Sequence, residues 1–148
     1  MSTLATQEAT SGQVYNAPSL IRIAAFLIAK YYAFFIVLAF LGDRFQNAVL
    51  ANSQGAKAVL LNTLSFFIHI SWGVLLLVLA LVLPVHLVLR IRPRAIRVTG
   101  LCVMLFAEYG LYTWGFSPSD FSNGLYNALL TVIFLLLFFR PALTMSAK

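Results

Sequence analysis

From Ala58 to Leu89 the chain runs 32 residues without a charge, and the run closes on Arg90, Arg92, Arg94 and Arg97. A water-soluble domain of 148 residues has no interior to absorb such a stretch, whereas a bilayer asks for ~20 apolar residues per crossing. The run therefore predicts an integral membrane protein. The arginines beside it predict an orientation, because positive charge flanking a span is retained in the cytoplasm.

Composition narrows the class further. The chain is 61% hydrophobic and 9% charged, far from the roughly 45–50% and 25% of soluble domains. Its net charge of +6 does not point to nucleic acid, since Arg90 to Arg97 abut apolar spans rather than cluster on a water-facing surface. Cys102 is the lone cysteine and lies in an apolar segment, which excludes an intrachain disulfide and a cysteine-ligated cluster. No Asn-x-Ser/Thr sequon occurs.

The predicted fold is all-α: an integral membrane four-helix bundle with short loops and both termini in the cytoplasm. Residues 1–18, with Glu8 as their one charge, are expected to form a mobile cytoplasmic tail and not a cleaved signal peptide, because a basic start is missing. Spans are expected at about 20–41, 58–89, 98–116 and 124–139 within one domain, 19–141, followed by a cytoplasmic tail over 142–148. The first span carries Ala25, Ala29 and Ala33 at every fourth position, a smooth stripe suited to helix packing. The second would reach ~48 Å as one helix, against a ~30 Å hydrocarbon core. It must tilt, project or kink, and Pro84 is the expected kink. Its opening turns bear Asn62, Ser65, His69 and Trp72 on one stripe. The third span ends in Tyr109, Tyr112 and Trp114, rings suited to the headgroup level. The turn Ser117-Pro118-Ser119-Asp120 leads to the fourth, which is expected to stop at Arg140-Pro141. Arg22, the four loop arginines, Arg140 and Lys148 then share one side, with Arg44 and Lys57 opposite. That imbalance places both termini and the arginine loop inside, in a bacterial inner membrane.

Two charges fall within spans. Lys30 lies ten residues beyond Leu20 and Glu108 ten beyond Val98, so each sits ~15 Å from the same face. Opposite charges at matched depth predict a pair facing the interior, because an unpaired charge at mid-bilayer costs at least ~2.5–3.5 kcal/mol. His69, eleven residues after Ala58, reaches a similar ~16 Å depth if the helix begins at the membrane surface. His69 and His86 are 17 residues apart on one helix, about 25 Å, so they cannot ligate one haem iron between them. No cofactor and no metal are expected. His86 and Arg90, Arg92, Arg94 and Arg97 suit anionic lipid headgroups. The doublets Phe34-Phe35, Phe66-Phe67 and Phe138-Phe139 must each show rings to more than one neighbour, lipid or protein.

No catalytic constellation accompanies these residues, so an enzyme is not expected. The leading expectation is a non-catalytic accessory or structural subunit of a larger membrane complex, with lipid and a membrane-protein partner or a second copy as its contacts. The alternative is a small proton- or ion-coupled transporter or channel built on Lys30 and Glu108, with His69 as a third member.

Overall fold

The computed structural model describes residues 16–115 and 121–144, so the expected tail over 1–15, the turn at 117–120 and residues 145–148 lie outside the described residues. Four helices make up the fold: α1 (Leu20–Leu41), α2 (Ala56–Arg90), α3 (Arg94–Gly110) and α4 (Phe121–Thr144). Each is long and apolar enough to cross a membrane, and the chain is an all-helical, multi-pass membrane protein.

Helix α1 starts at Ser19, whose hydroxyl accepts the Arg22 amide at 3.3 Å and so satisfies one of the orphan donors of the first turn. Its buried face is Ile23, Phe26, Leu27, Lys30, Tyr31, Phe34 and Leu38, a helical stripe of large side chains. Ala25 is exposed, and Ala29 and Ala33 are only half-buried. The small-residue stripe is thus not the packing face of this chain: bulky residues fill the space between helices, and the alanines flank that face. Helix α1 packs against α2 and α4, and α3 packs against α4 and α2.

Helix α2 buries a narrow line, Ile70, Val74, Val78, Val85 and Leu89, and turns Leu76, Leu79, Leu83 and Leu87 outward. An apolar outer face is what lipid requires. The expected kink at Pro84 does not break this helix, which runs unbroken to Arg90 with Val85 and Leu89 locked in the core. A break in helical backbone falls in α4, at Phe139 (φ −132°, ψ 25°), two residues before Pro141. Proline removes a backbone donor there, and the Arg22 guanidinium donates to the Phe138 carbonyl at 2.6 Å while lying over the Phe139 ring. The helix then continues to Thr144, past the Arg140-Pro141 stop and into the stretch assigned to a tail.

Leu27 and Lys30 line one cavity with Val85, and Leu38 and Ala39 line another with Phe66 and Ile70, so α1 and α2 run antiparallel; Phe35 over Gly73 fixes their register, and the Tyr32 hydroxyl donates to Ser71 Oγ at 2.9 Å. By that register α2 extends ~16 Å past the end of α1. The intervening segment folds back along this extension through a π-helical turn, Gln46–Leu50, with Val49 buried, Phe45 edge-on to Phe66 and Asn62 donating to Ser53 Oγ at 2.9 Å. Asp43 (φ 52°) and Gly55 (φ 85°) supply the left-handed backbone at its two ends.

Candidate functional site

Between the helices lies an ionic centre. Lys30 on α1 donates to Glu108 Oε2 on α3, a salt bridge with side chains 1% and 11% exposed. The structure thus brings together the two intramembrane charges from helices 78 residues apart in sequence. Tyr31 donates its hydroxyl to Glu108 Oε1 at 3.1 Å, and Asn127 on α4 donates its side-chain amide to Oε2 at 2.9 Å. Thr131 Oγ1 stands 3.4 Å from Oε2, but its single proton has a closer acceptor in the Asn127 carbonyl at 2.8 Å. The Lys30 ammonium also lies 4.4 Å from the centre of the Tyr31 ring, within cation–π range. One carboxylate is therefore held by donors from two other helices.

Helix α4 supplies its share through regular spacing. Asn123, Asn127, Thr131, Leu135 and Phe139 recur at every fourth residue and are all buried, three polar residues followed by two apolar ones along one stripe. Tyr31 and Thr131 were not singled out in the sequence, nor were the two asparagines. The signal for the asparagines and threonine was this four-residue spacing inside an apolar span. Tyr31 carried none, since an adjacent residue points ~100° away on a helix and only its long side chain brings the hydroxyl back to Glu108.

His69 is not part of the centre. It is exposed, and its Nδ1 pairs with the Ser65 carbonyl on its own helix at 2.8 Å. By the Phe35–Gly73 register, Lys30 is level with about Val78, so His69 stands ~13 Å farther toward the start of α2. Counting from Ala58 does not bring His69 level with Lys30 because α2 begins ~16 Å beyond the end of α1. The polar stripe that includes His69 serves the fold-back segment at Asn62, while Trp72 points outward, 62% exposed.

The four loop arginines also divide. Arg90 and Arg92 are exposed and free to meet headgroups. Arg97 is fully buried, with Nη1 donating to the carbonyls of Ile91 at 2.8 Å and Arg92 at 3.3 Å. Arg94 donates through Nε to the Leu143 carbonyl at 2.8 Å. Both therefore satisfy backbone carbonyls at helix ends, and Arg97 is a structural residue rather than a headgroup ligand.

The cavity beside the ionic centre measures about 20 Å³, room for about one water. Among the described residues no three His, Cys, Asp or Glu side chains come close enough to share a metal ion. Compared with known proteins, this chain matches no family model, no curated protein and no solved structure.

Proposed function

We propose that the chain is a non-catalytic structural subunit of a larger membrane assembly, a four-helix bundle in the cell inner membrane with both termini cytoplasmic. The observation that supports this reading is the saturation of Glu108: Lys30, Tyr31 and Asn127 occupy its oxygens, and the adjoining space is about 20 Å³. A carrier's carboxylate has to meet its ion and release it along a path. A carboxylate enclosed by donors from the other helices instead fixes which faces meet, a role attested for buried polar groups elsewhere. The surface left outside, including Leu60, Leu61 and Leu64 on the extension of α2, is apolar enough to take a partner.

Reconstitution separates this reading from the transporter. Proteoliposomes holding the wild-type chain and Glu108→Gln are expected to show the same proton and sodium leak as empty vesicles. Purification from native membrane in mild detergent is expected to bring a stoichiometric membrane-protein partner. Flux that is present in the wild type and absent in a folded Glu108→Gln protein would overturn the proposal.

A further inference from the structure

The outward side of α2 carries a regular pattern that the bundle does not use. Leu61, Leu64 and Ile68 recur eleven residues on as Trp72, Leu75 and Leu79, and all six are 46–64% exposed. Three turns of helix take about eleven residues, so the six form a nearly straight ridge. The same step of eleven leads from Ile68 back to Lys57 and from Leu79 on to Arg90. Both cations are exposed, and neither forms a hydrogen bond or an ion pair among the described residues. The ridge is thus apolar along its length and cationic at each end.

Lipid, a second copy and a different protein meet this ridge differently. Helix α1 has 22 residues, about 33 Å, and by itself spans the ~30 Å hydrocarbon core. In the register set by Phe35 over Gly73, Leu41 is level with Phe67, so Leu61 lies ~9 Å past the end of α1. Acyl chains stop short of it, yet Leu61 is 55% and Leu64 59% exposed. Apolar surface that continues past the hydrocarbon layer marks a protein contact. A second copy in the same orientation, paired along the same ridge, sets Lys57 against Lys57 and Arg90 against Arg90, and like charges face to face oppose association. A different helix is free of that conflict, and one with a carboxylate opposite Lys57 turns repulsion into attraction.

We propose that this ridge docks a membrane helix of another protein, apolar as far as Leu61 and bearing an Asp or Glu just beyond, opposite Lys57. The contact presupposes the subunit role proposed above and gives that role a face and a chemistry.

Photocrosslinking in native membranes tests it. The crosslinker p-benzoylphenylalanine replaces Leu64 or Leu75 on the ridge and, as outward controls, Phe106 on α3 or Leu137 on α4, each 71% exposed. Leu64 and Leu75 are expected to capture one and the same membrane protein, at least about fivefold more than either control, through an apolar span followed within about one turn by Asp or Glu. Lys57→Glu, at an exposed residue, is expected to cut the Leu64 crosslink at least about fivefold, and changing the captured acid to lysine to restore it. Thermal melts establish that each variant is folded. Adducts with lipid alone or with a second copy at Leu64 and Leu75 would overturn the docking face, as would an unchanged crosslink in folded Lys57→Glu. A wild-type chain that purifies without any partner would overturn the subunit role itself. A partner that co-purifies but crosslinks only from Phe106 or Leu137 would leave that role standing and overturn this face.

Discussion

Glu108 accepts from Lys30, Tyr31 and Asn127 in a region that the apolar helices close to water. Removing one member of a buried pair leaves the other charge uncompensated, at a cost of about 3–5 kcal/mol, whereas removing both charges together is far milder. Lys30→Met and Glu108→Gln are each expected to lose about that much in SDS-titration unfolding. The double variant should lose no more than the worse single one, so the coupling is at least the smaller single loss, about 3 kcal/mol or more. Additive losses would show that the two charges do not depend on one another. The pair itself was legible because a bilayer makes depth countable: ten residues from each span start gives the same level. The neutral partners were not, since Asn127 and Thr131 carry no charge to flag them and the spacing that unites them with Asn123 reads equally as loop-proximal polarity. Among the arginines, charge alone gave no way to tell that Arg97 turns inward onto carbonyls while Arg90 stays out.

At the level of elements, the limits of the first two helices followed from the hydropathy pattern, α1 at Leu20–Leu41 and α2 exceeding the expected run by two residues at its start and one at its end, whereas α3 starts at Arg94, four residues before the expected span, and α4 covers Phe121–Thr144 rather than 124–139. What the pattern lacked was the fit between helices. At Gly124 an added Cβ would stand 2.1 Å from Thr113 Oγ1 and 3.0 Å from the Tyr109 ring, so α4 crosses the end of α3 at a distance only glycine allows. At Gly100 the nearest atom is the Val88 Cγ1 methyl, 2.9 Å away on a half-buried side chain that has room to turn. Gly124→Ala is therefore expected to destabilise by about 1–3 kcal/mol through overpacking, and Gly100→Ala by less, read as midpoints in the same SDS titration. Equal losses at the two sites would contradict the close crossing. The alanines at 25, 29 and 33 show the converse limit. A smooth stripe permits close approach, and nothing in one sequence says whether a neighbour uses it.

For the molecule as a whole, contacts of Arg22 with Phe138 and of Arg94 with Leu143 gather the start of α1, the start of α3 and the end of α4 at one end, with Arg90, Arg92 and Arg140 nearby. The opposite end holds Arg44 and Lys57. By the positive-inside rule the arginine-rich end is the one we propose to be cytoplasmic. Alkaline phosphatase fused in the segment between α1 and α2 is expected to be active, and the same fusion after Arg92 inactive; the reverse pattern would invert the topology. The link between Lys30 and Glu108 also has a consequence in time. Helix α1 is made first, and the residue that neutralises its lysine lies 78 positions later, which at ~5–20 residues per second is about 4–16 s of synthesis. For that interval Lys30 has no Glu108 to meet. The first helix therefore has to wait at the insertion machinery, or keep its lysine reaching for water, until the third arrives and lets the newborn chain settle.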